Sequence, residues 1–317
     1  MPSELQLIDL FTRAFPRVPP PRGPGDDCAV LPPVRGELCV TTDALVEGVH
    51  FTRRTFSLED VGYKALAVNL SDLAAMGATP RWFVCALGLP RGFSASEVRR
   101  LAAGMAKLAR AQRVDLVGGN FTSSPVLSLT LTVAGEVPKG RALTRAGAKA
   151  QDFLYCSGTL GEARAGLTLP FFSLRQRRPS PRLSLGRLAR AYAHAAIDVS
   201  DGFTQDLGHL CDASRVGALV QVDRLPLRRA LVRAVGEEAA RHEALAGGED
   251  YELLLAVPPF RARAFERACA KKGLPVTRVG RLTRRQGLRL VDPKGKRIAA
   301  PKGFDHFRRF DAHESRA

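Results

Sequence analysis

The spacing of apolar residues divides the chain into segments typical of helices and strands. Residues 57–77 predict one long helix, and its apolar residues between Leu66 and Met76 cover enough of the surface to suggest burial on most sides. Residues 94–112 have helical periodicity behind a serine cap. Strands are predicted where apolar and polar residues alternate, as in VLSLTLTVAGEV (126–137). DCAVLPP (27–33) and LCVTTDALV (38–46) predict a strand–turn–strand unit.

The same α/β pattern occurs twice along the chain. A first series of strands and helices ends near residue 137, and the pattern restarts after PKGRALTRAGAKAQD (138–152). The 317 residues are sufficient for two domains, each with its own core. The sequence therefore predicts an α/β (α+β) protein with domains at 1–137 and 138–317.

Asp72 lies in the middle of the apolar helix predicted for residues 57–77. A buried carboxylate is costly unless a cation or several hydrogen-bond donors face it. Other aspartates stand at strand ends or turns, in GDD (25–27), TTD (41–43) and DVSDG (198–202). Each motif alone is also typical of a turn or a helix cap. Together they predict a site where Mg²⁺ shares oxygen ligands with substrate phosphates, as phosphoryl transfer requires.

The net charge of +17 could indicate nucleic-acid binding, which is the rival function of a different class. Basic residues are scattered, however, with one denser run at 171–190, and no zinc-finger or RRM signature is present. A basic surface that attracts polyanionic small molecules such as nucleotides explains the charge more economically, so we expect no nucleic-acid partner.

Three other classes of protein are disfavoured because their sequence motifs are missing: membrane proteins, secreted proteins and Walker-type ATP enzymes. No apolar run approaches the roughly 18 residues of a membrane span, so no membrane partner is expected. The N-terminus lacks a secretory pattern, and a cytoplasmic location is the default expectation. The chain has no G-x-x-x-x-G-K-[ST] motif, so an ATP enzyme of this sequence would not be of the Walker type.

The motifs resemble those of thiamine-monophosphate kinases, in the same order and from about residue 25 to 307. They are GDDCAVL, VTTDALVEGVHF, GYKALAVNLSDLAAMGATP, GRALTRAGA, RPSPRLSLG, AIDVSDG, GGEDYELL and GFDHF. VNLSDLAAMGA and AIDVSDG are shared with a wider superfamily of ATP-binding enzymes, which includes aminoimidazole ribonucleotide synthetase and selenophosphate synthetase. Another ATP-using member of that superfamily is therefore the alternative function.

The resemblance implies a two-domain PurM-like fold. Its N-terminal α/β domain would form a β-barrel across a homodimer interface, followed by a C-terminal α/β domain. The implied reaction is direct transfer of the ATP γ-phosphate to thiamine monophosphate, with several Mg²⁺ ions and no residue acting as a covalent nucleophile.

The resemblance also assigns roles to individual residues. Metal ligands are expected at Asp27, Thr41, Thr42, Asp43, Asp72, Asn120, Asp198 and Asp201. ATP contacts are expected at Gly119, Asn120, Arg145 and Ser200. Contacts with thiamine monophosphate are expected at His50, Glu249 and Phe304. The family commonly has GGD where this chain has GGN (118–120), so Asn120 should hold its ion less tightly than a carboxylate would.

Overall fold

The first half of the chain folds into a four-stranded sheet with long helices on one face. The computed structural model describes residues 3–25, 27–301 and 303. The elements of this half are α1 (Glu4–Thr12), β1 (Glu37–Val46), α2 (Leu58–Ala75), β2 (Thr79–Leu89), α3 (Ala95–Gln112), β3 (Asp115–Ser123) and β4 (Ser128–Val137). The strand order is β1-β4-β2-β3, and the β2–β3 pair is parallel whereas the other pairs are antiparallel.

Helices α2 and α3 pack against each other at very short range. Ser57 caps α2 by accepting the N–H of Asp60, and Ser94 and Glu97 form a capping box at the start of α3. A Cβ atom at Gly62 would lie 2.0 Å from the carbonyl oxygen of Leu101, so only glycine permits this approach. The long helix predicted for residues 57–77 is confirmed.

The second half contains a seven-stranded mixed sheet. Its elements are β5 (Phe153–Ser157), α4 (Glu162–Ala165), a 3₁₀ turn (Pro170–Phe172), α5 (Ser173–Arg177), α6 (Leu183–Ala189), β6 (Ala195–Asp198), α7 (Phe203–Ser214), β7 (Gly217–Gln221), a second 3₁₀ turn (Val222–Arg224), α8 (Arg229–Val235), α9 (Glu237–Ala246), β8 (Leu253–Val257), α10 (Pro259–Lys271), β9 (Val276–Thr283), β10 (Gly287–Val291) and β11 (Arg297–Ile298). The strand order is β11-β10-β7-β9-β5-β8-β6.

Helix α2 joins the two halves through a shared apolar core. Leu70 and Leu73 of α2 belong to the same buried cluster as Leu185 of α6 and Leu255 of β8. The boundary between residues 137 and 138 remains a prediction. It falls after the last strand of the first sheet and before the first strand of the second.

One strand expected from the sequence is absent. Residues 27–33 form no strand, and β1 begins only at Glu37, where it pairs with β4. Pro32 and Pro33 have no N–H to donate to a ladder, and the N–H of Val30 donates instead to the carbonyl of Pro21. That prediction was therefore wrong.

In the described part of the chain, no helix combines the length and the apolar surface needed to cross a lipid bilayer.

Candidate active site

A cavity of about 630 Å³ is lined by residues from both halves of the chain. Its walls come from β1, α2, the loop after β6 and the loop before β8. The predicted site residues that line it are Asp43, His50, Asp72, Arg145, Asp198, Ser200, Asp201 and Glu249. Residues more than 200 positions apart in sequence thus meet in one place.

Two hydrogen bonds, each from a hydroxyl to a carboxylate, connect β1 to α2 and α2 to β6. The Thr41 hydroxyl, on the same face of β1 as Asp43, donates to Oδ2 of Asp72 at 2.5 Å. The Ser71 hydroxyl donates to Oδ2 of Asp198 at 2.7 Å. Ser71 and Asp72, which are adjacent on α2, therefore connect this helix to one strand of each sheet. The carboxylates of Asp72 and Asp198 lie where these elements meet.

The electrostatics of the cavity disfavour several negative charges side by side. Burial, and then the charges of Asp72 and Asp201, raise the pKa of Asp43 to about 6. Burial, and then the charge of Asp72, raise the pKa of Asp198 to about 8. The pKa of Asp72 is raised by burial, although the Thr41 bond and the Arg145 charge oppose that shift. The cluster therefore needs additional positive charge to be fully ionised at neutral pH.

The loop that carries Ser200 and Asp201 is fixed by a buried carboxylate. Oδ2 of Asp206 accepts hydrogen bonds from the backbone N–H groups of Ser200, Asp201 and Gly202 at 3.0, 3.1 and 3.1 Å. Gln205 donates a side-chain hydrogen bond of 3.2 Å to Asp201. The sequence motifs assign no role to Asp206, but its position in the first turn of α7 shapes the loop.

The two described residues expected to contact the organic part of the substrate line the same cavity. Oε1 of Glu249 accepts a hydrogen bond of 2.5 Å from Lys64. Nδ1 of His50 accepts the backbone N–H of Val46 at 3.1 Å, so the proton of a neutral imidazole is on Nε2. Phe304 lies outside the described residues.

Five of the described residues predicted for the site do not line this cavity, although one of them, Thr41, donates a hydrogen bond to Asp72 on its wall. Asp27 is exposed in an irregular segment. The Thr42 hydroxyl is on the opposite face of β1 from Asp43 and donates to the carbonyl of Leu131 at 3.0 Å. Gly119 and Asn120 are exposed on β3, which is separated from β1 by two strands, or about 14 Å in all at the usual strand spacing. Their assignments remain predictions.

Sheet packing alone accounts for the glycine at position 119. A Cβ atom there would lie 2.2 Å from the carbonyl oxygen of Cys85 on the neighbouring strand β2. Gly119 is therefore required by the fold, whatever its role toward a nucleotide.

Sequence reasoning missed two residues that support the site. Lys64 is fully buried in α2 and Gln176 is buried in α5, and both donate hydrogen bonds to Glu249. The signal for Lys64 was a charged residue in an apolar helix, the same signal that singled out Asp72. Gln176 lies in the basic run and has no comparable local signal.

The carboxylates surround the cavity without converging on one point. Among the described residues, no group of three or more His, Cys, Asp or Glu side chains could hold a metal ion by itself. This spacing agrees with the chemistry of Mg²⁺, which is usually bound by one or two carboxylates together with substrate phosphates and water. The all-oxygen donor set and the raised pKa values fit a divalent cation of this type.

The fold and the acidic cavity define a two-domain protein of the AIR synthase-related class. Residues 25–137 match the N-terminal domain of AIR synthase related protein, and residues 175–293 match its C-terminal domain. The chain is 41% identical over 320 residues to thiamine-monophosphate kinase of Escherichia coli K12, covering 95% of this chain and 98% of that protein. The chain belongs to the thiamine-monophosphate kinase family.

Solved structures agree with this assignment. The crystal structure of thiamine-monophosphate kinase from Stenotrophomonas maltophilia K279a is similar, with a TM-score of 0.83 and 39% identity over 91% of this chain and 96% of that one. AaThiL complexed with AMPPCP and TMP has a TM-score of 0.76 and 34% identity, covering 85% of this chain and 87% of that one.

Proposed function

We propose that this protein transfers the γ-phosphate of ATP to the phosphate of thiamine monophosphate, releasing ADP and thiamine diphosphate. One observation carries the proposal: a single cavity is lined by four aspartates, by Arg145 and by two candidate contacts for the organic substrate, His50 and Glu249. Two further findings support it. The relatives are thiamine-monophosphate kinases, and a related chain was solved with an ATP analogue and TMP together.

The residues proposed to hold Mg²⁺ are Asp43, Asp72, Asp198 and Asp201, because they share the cavity and their charges need neutralisation. Thr41 lies on the cavity side of β1 and is proposed with them. Asp27, Thr42 and Asn120 are proposed on the family resemblance alone. When bound, Mg²⁺ would neutralise the phosphates and the charge that develops on the transferring group.

The chain's own residues would bind and orient the two anionic substrates. The attacking group is a phosphate oxygen of thiamine monophosphate, which is ionised at neutral pH, so no general base or covalent nucleophile is needed. Catalysis then consists of positioning and charge neutralisation. Arg145 has a planar fork that can bind two phosphate oxygens, and its position on the cavity wall suits that role.

The remaining contacts are divided between the two substrates. Ser200, Gly119 and Asn120 are proposed to contact ATP. His50, Glu249 and Phe304 are proposed to contact the organic part of thiamine monophosphate. Ser200 and Glu249 are on neighbouring loops, which would hold the two substrates close together.

We also propose that the protein is a homodimer whose N-terminal sheets form a shared barrel. Leu38 and Val40 on the edge strand β1 are 48% and 55% exposed, which leaves an apolar face available for a second copy. Residues 1–137 would then bind ATP and Mg²⁺ and form the dimer, with 138–317 as the second domain. The cytoplasmic location remains a prediction.

A coupled assay of ADP release tests the function. Purified protein with ATP and Mg²⁺ should release ADP only when thiamine monophosphate is present. ADP release that ignores this compound would favour another ATP-using member of the superfamily. Tight, salt-sensitive duplex binding without ATP turnover would favour a nucleic-acid-binding protein. A phosphorylated enzyme trapped from labelled ATP would contradict direct transfer.

A further inference from the structure

A fully buried lysine reaches the cavity wall through Glu249. The Lys64 side chain is 0% exposed, and its Nζ donates to Oε1 of Glu249 at 2.5 Å. Nζ also lies 5.2 Å from the centroid of the Phe56 ring, a favourable contact for a cation. An ammonium group in this position is costly unless paired, so the ion pair ties α2 to the loop before β8.

The second oxygen of the same carboxylate has its own donor. Nε2 of Gln176 donates to Oε2 of Glu249 at 3.2 Å, and Gln176 is 4% exposed. Glu249 itself is 29% exposed and lines the cavity. A carboxylate can accept about four hydrogen bonds, so two donors from the protein leave capacity for a ligand.

Gln176 is held in place by the basic run around it. Arg177 and Arg178 both pair with Asp60, which lies one turn before Lys64 on α2. Arg175 pairs with the fully buried Glu252 at 3.1 Å. Helix α5 is therefore held against α2 and against the residue that precedes β8, and Gln176 has little freedom to move away from Glu249.

We propose that Lys64 and Gln176 are positioning residues, which fix the Glu249 carboxylate so that it accepts a hydrogen bond from the amino group on the pyrimidine ring of thiamine monophosphate. The inference rests on the proposed function. Two fixed donors select one rotamer of Glu249 in advance, so less conformational entropy is lost when the substrate binds. The hydrogen bonds of the Lys64 and Gln176 side chains go to Glu249, so we expect the effect on the organic substrate and not on ATP.

The test is Lys64→Met, a substitution of similar length that suits an apolar surrounding. The carboxylate that remains, Glu249, is 29% exposed and keeps its hydrogen bond from Gln176, so water can compensate for the lost lysine and the variant should fold. We expect the KM for thiamine monophosphate to rise about tenfold, while the KM for ATP stays within about twofold, because a hydrogen bond to a charged group is weakened. Gln176→Leu should act in the same direction. Lys107→Met, an exposed position on α3, is the matched control and should change neither KM.

Two further measurements separate positioning from a structural role. In a Glu249→Gln background, Lys64→Met should have little additional effect, because both changes remove the same interaction. Wild-type protein should discriminate against the analogue of thiamine monophosphate that has an oxo group in place of the amino group, and Lys64→Met should reduce that discrimination.

The outcomes distinguish this inference from the proposed function. If wild-type protein forms no thiamine diphosphate, the proposed function fails, and the inference fails with it. If wild-type protein is active, an unchanged KM for thiamine monophosphate in Lys64→Met overturns the inference alone, and so does an equal rise in both KM values. If Lys64→Met does not fold, the same criteria apply to Gln176→Leu.

Discussion

The backbone N–H of Glu249 donates a hydrogen bond of 2.7 Å to the carbonyl oxygen of Ser200. A second bond follows, from the N–H of Tyr251 to the carbonyl of Val199 at 2.8 Å. Glu249 and Tyr251 have φ values of 68° and 49°, a conformation that costs non-glycine residues about 1 kcal/mol or more. The structure thus fixes the loop that contains Glu249 against the loop that contains Ser200.

The first prediction concerns the aspartates of the cavity. Asp43→Ala or Asp72→Ala should lower kcat by roughly two orders of magnitude or more, because a ligand for charge neutralisation is lost. The fold should remain, as judged by circular dichroism. Asp212→Ala, at an exposed position on α7, is the control and should keep wild-type turnover. Activity close to wild type in either cavity variant would refute the ligand role.

The second prediction is a pH dependence of the metal-free protein. The pKa values of Asp43 and Asp198 are raised to about 6 and about 8, so the unfolded chain releases these protons at lower pH than the folded chain does. Their contribution to stability is therefore complete below about pH 4 and is lost as pH rises through 6 and 8. Mg²⁺ favours the ionised carboxylates and should restore stability, most strongly at high pH.

Thermal melts from pH 5 to 9, with and without Mg²⁺, measure this effect. The increase in Tm caused by Mg²⁺ should grow with pH. In Asp43→Asn, the part of the dependence near pH 6 should disappear. A Mg²⁺ effect that is constant or decreases over this range would contradict the account.

The third prediction concerns the position where this chain departs from its family. Asn120→Asp supplies a carboxylate in place of a neutral carbonyl oxygen, so it should lower the Mg²⁺ concentration needed for half-maximal rate. Rates measured across a Mg²⁺ titration test this. An unchanged or higher requirement would remove Asn120 from the metal ligands and leave the cavity aspartates as the supported set.

The fourth prediction concerns stability. Glu252 is 0% exposed and is paired with Arg182, whose Nε lies 2.6 Å from Oε2. Arg182→Ala should cost roughly 3 kcal/mol in the free energy of unfolding, because a buried carboxylate loses a partner. Urea denaturation measures the loss, with Arg187→Ala as an arginine control on α6 expected to change stability by less than about 0.5 kcal/mol. A small loss in Arg182→Ala would mean that Arg175 and the Ser157 hydroxyl are sufficient partners for Glu252.

Local patterns in the sequence predicted most of the regular structure. Helices α2 and α3 and the alternating strand β4 have strong periodicity, and all three are present. The predicted strand at 27–33 was wrong because alternation does not show whether a neighbouring strand is available, and its prolines weaken any ladder.

The candidate site was only partly predictable. Short motifs identified Asp43, Asp72, Asp198 and Asp201, because each stands out in its own segment. The role of the basic run at 171–190 could not be read from the sequence. Its arginines pair with Asp60, Glu162 and Glu252, and the last of these lies 70 positions from Arg182. Such pairs depend on tertiary packing and leave no periodic signal.

The most direct test of the account is the location of divalent ions with both substrates in place. Crystals grown with Mn²⁺, AMPPCP and thiamine monophosphate would give anomalous diffraction peaks at each ion. The account predicts peaks between the two phosphate groups, coordinated by Asp43, Asp72, Asp198 and Asp201. Both ligands bound in the cavity with no ion between them, or ions coordinated elsewhere, would contradict it.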